Sequence, residues 1–191
     1  MKLLQYKGKE IIILPGVYEP AEDSFLMIEA VLKEVKRADS ILEIGTGSGI
    51  VSMFIGDVTQ FIATDISPQA VKCAKLNRID VIRTDLFEGI KFKGKFDLIV
   101  FNPPYLPSED QKTDMDVLWD GGPSGREIIN RFLDQVKNYL TEDGRILLLV
   151  SSLTGIEQVI EKMKSLDFVV DEIISEKHFF ERLVVIRGAL R

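Results

Sequence analysis

Three short runs, Ile41 to Ile44, Phe96 to Phe101 and Arg145 to Val150, are apolar almost from end to end (ILEI, FDLIVF, RILLLV). A strand with one face in water alternates polar and apolar residues. Runs this continuous belong to strands covered on both faces, the pattern of parallel sheets. Around them the candidate core strands are Ser40–Ile44, Gln60–Thr64, Asp80–Arg83, Phe96–Phe101 and Gly144–Val150, with a shorter strand at Ile11–Leu14 that ends at Pro15-Gly16. Helical spacing fills the gaps. Phe25, Ile28, Leu32 and Val35 recur at three- and four-residue steps and predict an amphipathic helix over Glu22–Lys36. Ser67 followed by Pro68 predicts a capped helix start running to Asn77. Ser124 to Glu127 and Thr154 to Glu157 both fit the S/T-x-x-E capping box, each ahead of apolar helical spacing.

After the last of these helices the rhythm changes. Phe168–Ser175 and Glu181–Arg187 read as strands separated only by residues 176–180, too few for a crossover helix. A hairpin must join them, so at least one strand runs antiparallel. The expected architecture is α/β: a doubly wound, mostly parallel sheet with an antiparallel hairpin at its C-terminal end. With 191 residues and no repeat, low-complexity tract or Pro/Ser-rich linker, the expectation is one domain over residues 1–191.

Composition narrows the function. Lys plus Arg number 24 against 30 Asp plus Glu, for a net charge of −6 and a pI near 5.0. Holding a nucleic-acid backbone requires a basic face, so nucleic acid is not the expected direct partner, although a small local patch remains open. The single Cys73 forbids an internal disulfide and any cysteine-based zinc site; no metal site is expected, and the usage suits a reducing cytoplasm. No apolar run approaches the roughly 18 residues of a membrane span, and the N-terminus lacks a signal-peptide core.

Four places carry chemistry. The strand ending at Ile44 runs into Gly45-Thr46-Gly47-Ser48-Gly49, a turn whose glycines permit positive φ and close approach of backbone to a ligand. Ile50 stands where a dinucleotide fingerprint wants its third glycine, so a dehydrogenase loop fits imperfectly. Glu43, inside the apolar run, is either a solvated strand end or, as preferred here, a carboxylate facing a cationic or amine-bearing ligand. Asp65 lies twenty residues beyond Gly45 at the end of the second core strand. There it reads as an ordinary turn aspartate or as the carboxylate that doubly wound folds offer to ribose hydroxyls. Thr84-Asp85-Leu86, after the third strand, offers a side-chain carboxylate beside a backbone amide, suited to the amino edge of an adenine.

The fourth place is decisive. Asn102-Pro103-Pro104-Tyr105 follows the central strand directly. Two prolines fix φ and remove two donors, leaving an extended segment of outward carbonyl acceptors. Asn102 adds a side-chain oxygen that accepts, and a planar NH2 needs two acceptors to hold it. Tyr105 can stack on its flat face. His178, the only histidine, sits between the last two strands and reads as a loop residue, not a base. The stretch Leu106–Pro123, which contains Trp119, is long for a compact domain and is expected to contact substrate.

Taken together, LEIGTGSG, Asp65, Asp85 and NPPY resemble class I S-adenosylmethionine-dependent methyltransferases that modify exocyclic or amide nitrogens. Val17 to Ser24 and Gly121 to Glu127 further resemble the archaeal and eukaryotic branch of the HemK-like protein-glutamine N5-methyltransferases, over essentially the whole chain. The resemblance implies a Rossmann-like seven-stranded sheet, S-adenosyl-L-methionine as cofactor, and a cytoplasmic enzyme. It implies methylation of the glutamine in the Gly-Gly-Gln loop of a class 1 translation termination factor, and heterodimer formation with a small zinc-binding activator subunit.

By the same resemblance, Glu43, Gly45 and Gly47 lie along the methionine part and sugar of the cofactor. Asp65 takes the ribose hydroxyls, and Asp85 with Leu86 the adenine. Tyr18 and Ser24 close over the cofactor from the N-terminal segment, residues 1–38. Asn102, Pro103 and Tyr105 hold the substrate amide at the catalytic position, with Asn102 also beside the cofactor. Bacterial relatives carry an extra N-terminal helical domain, whereas only residues 1–39 precede the first core strand here, so recognition falls to the loop after Tyr105 or to a partner. The remaining alternatives are methylation of adenine N6 or guanine N2, methylation of protein lysine, and a cofactor-binding module that only scaffolds a partner.

Overall fold

A computed structural model describes residues 1–91, 95–105 and 124–190. Among the described residues, nine strands and four α-helices follow in the order β1 (Lys2–Tyr6), β2 (Lys9–Ile13), α1 (Glu22–Glu34), β3 (Ser40–Ile44), β4 (Gln60–Asp65), α2 (Pro68–Leu76), β5 (Val81–Arg83), β6 (Phe96–Phe101), α3 (Glu127–Val136), β7 (Leu140–Ser151), α4 (Ile156–Ser165), β8 (Phe168–Lys177) and β9 (Arg182–Leu190). Seven of the strands form one sheet in the order β5-β4-β3-β6-β7-β9-β8. β5, β4, β3, β6 and β7 run parallel, and β9 lies antiparallel to both β7 and β8. The doubly wound sheet and its C-terminal hairpin are therefore present as expected. The chain winds from β3 outward to β5, then crosses back to β6 on the other side of β3. That reversal opens a crevice beyond the carboxyl ends of β3 and β6, where such sheets bind ligands.

The continuous apolar runs do face apolar layers on both sides. Leu42, Ile99, Phe101, Ile146 and Leu148 pack into one buried cluster with α3 and α4, while Ile41, Leu98, Val100, Leu147 and Leu149 pack into another with α1 and β2. The one buried charge of β7, Arg145, is paired: its guanidinium donates to Asp39 Oδ2 at 2.7 Å and to the Glu34 carbonyl at 2.6 Å. An unpaired charge there would cost several kcal/mol.

Two local expectations are corrected. Neither capping box forms as expected. α3 begins at Glu127 itself, whose carboxylate accepts from the Ser124 N–H and hydroxyl, and α4 begins after Gly155, while Thr154 Oγ1 donates to the Ser151 carbonyl. In the second case Gly155, at φ 79°, makes the entry that a threonine cap was expected to make. β7 also starts four residues earlier than Gly144, and the extra length is accommodated by a break in register between Phe96 and Leu98 of β6.

The N-terminal hairpin of β1 and β2 was not foreseen beyond its second strand. It turns at Lys7 and Gly8, both at positive φ (45° and 78°), the geometry of a tight two-residue connection. Tyr6 stacks on Phe25 of α1, with ring centroids 4.3 Å apart. Asn77, at the end of α2, donates to the carbonyls of both Ile12 and Ser48 and accepts from the Ile12 N–H. One side chain thus ties the hairpin to the glycine turn, and the segment that follows β2 is led across the mouth of the crevice.

Candidate active site

The crevice is a cavity of about 770 Å³ lined by residues from six parts of the chain. Every residue singled out from the sequence as a site residue (Tyr18, Ser24, Glu43, Gly45, Gly47, Asp65, Asp85, Leu86, Asn102, Pro103 and Tyr105) lies on its wall.

The floor is the glycine turn. Gly45 has φ 68°, and a Cβ there would meet the Phe101 ring at 3.3 Å. Gly47, at φ 58°, faces open space, so its backbone stands bare to the cavity. The Gly47 N–H donates to Asp65 Oδ2 at 2.8 Å and the Ser67 N–H donates to Asp65 Oδ1 at 2.8 Å. Asp65 therefore clamps the turn after β3 to the start of α2, while its remaining lone pairs are available to the cavity. Burial pushes its carboxyl up, and the backbone amides of Gly47 and Ser67 pull it back.

Glu43 is not a solvated strand end. It is 3% exposed, and its carboxylate accepts from the hydroxyls of Thr46 and Ser52. Burial dominates over these bonds and raises its pKa to about 7. A positive group arriving beside it would favour the carboxylate form. Across the cavity, Leu86 is buried at positive φ (47°), and Asp85 pairs with Arg131 of α3 at 2.8 Å.

The opposite wall holds the arrangement with most chemical consequence. Asn102, just past β6, donates from its NH2 to Asp23 Oδ2 at 2.9 Å. Asp23, on the first turn of α1 and 4% exposed, also accepts on Oδ1 from the Tyr18 hydroxyl at 2.6 Å and the Ser24 N–H at 2.7 Å. A carboxylate only accepts, so it dictates which end of the Asn102 amide faces it. The other end, Oδ1, is buried and has no partner among the described residues. A buried acceptor left open in this way has already lost its water, and a donor that reaches it recovers that cost. Tyr105 stands half-buried on the same wall, its hydroxyl pushed up by burial and by the negative charges of Asp23, Glu181 and Glu22.

Asp23 was missed from the sequence, where only its neighbours Tyr18 and Ser24 were picked. Ser24, expected to close over a ligand, turns its hydroxyl toward Asp23 Oδ1 at 3.3 Å. The stretch expected to contact substrate, residues 106–123 with Trp119, lies outside the described residues, as do the first three residues of the Gly121–Glu127 motif. Among the described residues, no group of His, Cys, Asp and Glu is arranged to hold a metal ion and no helix is long and apolar enough to cross a membrane.

A glycine turn at the switch point, a carboxylate on each of the next strand ends, and a rigid Asn-Pro-Pro-Tyr segment opposite define a methyltransferase of the class I architecture. Comparisons with known proteins agree. Residues 10–172 match the methyltransferase small domain, and the chain belongs to that family. It is 43% identical over 197 residues, 97% of this chain and 98% of the other, to a Methanocaldococcus jannaschii protein that carries the provisional name protein N5-glutamine methyltransferase. It is 36% identical over 167 residues, 78% of each chain, to methyltransferase HEMK2 of Homo sapiens. Among solved structures it resembles the E. cuniculi Mtq2–Trm112 complex, described as responsible for methylation of the eRF1 translation termination factor, with TM-score 0.79 and 26% identity over 92% of this chain and 99% of that one.

Proposed function

We propose that this chain is an S-adenosylmethionine-dependent protein-glutamine N5-methyltransferase that modifies the glutamine of the Gly-Gly-Gln loop in a class 1 translation termination factor, in the cytoplasm. The observation that carries the reading is the amide of Asn102, fixed by Asp23 with its oxygen unpartnered beside two prolines. It is complementary to a second, flat NH2 group. The similarity to glutamine methyltransferases supports it independently.

The residues present fit the cofactor. Gly47 leaves open space against its backbone, Asp65 keeps acceptor capacity for two vicinal hydroxyls, and Glu43 offers a buried carboxylate to a positive group. Tyr18 and Ser24 form the wall nearest Asp23, and Asp85 with Leu86 the far end, suited to an adenine edge. The cofactor supplies a methyl group on a positive sulfur, open to in-line displacement. The protein's share is placement and exclusion of water. Asn102 Oδ1 and the carbonyls flanking Pro103 accept from the substrate NH2, preventing its rotation and favouring the positive charge that grows on nitrogen as it becomes tetrahedral. Tyr105 covers the flat face. A base is not needed before attack, since nitrogen sheds its proton after the methyl is bound.

Incubating the purified chain with methyl-labelled cofactor and, separately, termination factor, rRNA, tRNA, DNA and a lysine-bearing protein tests this directly. Label on the glutamine amide of the factor is expected. Label confined to nucleic acid or lysine overturns the reading.

Asp65→Ala tests the cofactor assignment. Losing acceptors to the ribose should weaken cofactor binding by about 1.5–3 kcal/mol, the worth of hydrogen bonds to a charged group. Calorimetry reads that loss, and saturating cofactor should restore much of the rate. A rate still absent at saturation assigns Asp65 another task.

The reading includes a small zinc-binding activator as partner, supported by the two-chain structure the protein resembles. The exposed edge β5 suits it. Asp80 O and Thr84 N bond inward to β4, so by the alternation of a parallel ladder the N–H and C=O of Val81 point outward. Ile82 and Ile66 stand exposed at that edge. An added strand would pair there. Val81→Pro deletes an outward donor without touching the ladder to β4 and should weaken activator association roughly tenfold, with cofactor affinity kept. Unchanged association moves the partner elsewhere.

A further inference from the structure

A second cavity, of about 310 Å³, opens off the first across a shared wall made by Tyr18, Asp23 and Tyr105. It runs from that wall to the connection between β8 and β9, where His178, Phe179, Phe180 and Glu181 form its far side. Phe179 and Phe180 are 93% and 86% exposed and meet edge to face with centroids 4.7 Å apart. They are the most exposed large apolar side chains among the described residues. Two adjacent phenylalanines in water at the rim of a catalytic cleft call for a covering partner. Glu22, Asp23 and Glu181 are also on the wall, and no lysine or arginine is among the described lining residues. Glu181 is held by a hydrogen bond from the Ser151 hydroxyl, at the end of β7.

We infer that this second cavity seats the polypeptide that flanks the target glutamine, in a segment that pairs apolar side chains with lysine or arginine. The inference rests on the glutamine reading above and names what the site takes beyond the amide itself. A glutamine side chain reaches roughly 5 Å from its Cα to its amide nitrogen. With the amide on Asn102, the substrate backbone must therefore cross the Tyr18–Asp23–Tyr105 rim. The chain leaving that rim on the side of β8 and β9 enters the second cavity. There the two phenylalanines bury its apolar side chains, and the carboxylates attract cationic ones and repel phosphate. His178 also lines this groove, and its backbone N–H donates to the Glu181 carbonyl at 2.8 Å, closing the turn.

The test compares two substrates of one enzyme. Phe179→Ser/Phe180→Ser changes only exposed side chains. Against intact termination factor, kcat/KM of the double variant should fall roughly 10- to 100-fold, mostly through KM, as for loss of an aromatic anchor pair. Against a short peptide ending just past Gly-Gly-Gln it should match the wild type, and cofactor affinity and activator association should be unchanged. Equal activity of wild type and variant on the intact factor overturns the inference. So does loss of activator association, which gives the surface to that partner, or a change in oligomeric state, which gives it to a second copy. Loss of binding to labelled RNA would give it to nucleic acid. If wild type itself fails on both glutamine substrates, the glutamine reading is what falls, a result distinguishable from an unaffected variant of an active enzyme.

Discussion

Asn102→Ala should reduce kcat about 100- to 1000-fold while changing cofactor affinity by less than about tenfold. The magnitude follows from removing one preorganised group aimed at charge that develops in the transition state, here a positive charge met by an acceptor. Because that charge is greatest when the nitrogen is tetrahedral, the loss belongs in kcat more than in KM. The alanine variant also leaves Asp23 facing a small void, but Asp23 keeps the Tyr18 hydroxyl and the Ser24 N–H, so the N-terminal wall stays in place. Asn102→Asp retains an acceptor but sets a second carboxylate against Asp23, a like-charge contact that either draws in a proton or opens the wall. Single-turnover methylation of a Gly-Gly-Gln substrate, with calorimetry on the cofactor, separates the two effects. Near-normal turnover in Asn102→Ala overturns the amide clamp.

The parts of this site that were legible in the sequence share one property: the cue and the structure it produces are local. Ile41 to Ile44 and Phe96 to Phe101 announce buried strands by their own composition, and both strands occupy the expected residues. The glycine turn and the proline pair fix backbone geometry within a few residues of themselves. What escaped either carries a weak local cue or depends on distance. β1 was invisible because LLQY carries no clean alternation, and its pairing is set by a turn of only two residues. The threonine of the second capping box was misread because its hydroxyl turns back to the Ser151 carbonyl, three residues earlier, and Gly155 makes the helix entry in its place. Asp23 is the most instructive case. Glu22 and Asp23 look like ordinary acidic residues in the first turn of a helix, where they complement the macrodipole. Nothing near position 23 signals that its carboxylate will meet an asparagine 79 residues later. The one available hint was an aspartate next to Ser24, inside the segment already picked as a cover for the cleft.

That same contact yields the second large expectation, for Asp23→Asn. The substitution is nearly isosteric, but it replaces one of two accepting oxygens with a donor. Oδ1 receives three hydrogen bonds, from the Tyr18 hydroxyl and from the N–H and hydroxyl of Ser24, and Oδ2 receives one, from Asn102. The new NH2 therefore settles where it costs less, on the Asn102 side. To avoid two NH2 groups in contact, Asn102 must turn over, presenting its own NH2 to the substrate in place of Oδ1. A donor then faces the substrate's donor at the reacting nitrogen, and kcat should fall about 100-fold or more, comparable to deleting the clamp outright. Thermal unfolding should move little, because size and burial are conserved. The decisive measurement is the double variant with Asn102→Ala. If Asp23 acts through Asn102, Asp23→Asn adds almost nothing once residue 102 is alanine, and the two losses are strongly non-additive. Losses that simply multiply would show instead that Asp23 touches the cofactor or supports the fold on its own account. Full activity in Asp23→Asn alone would show that the orientation of Asn102 is set by something other than this carboxylate.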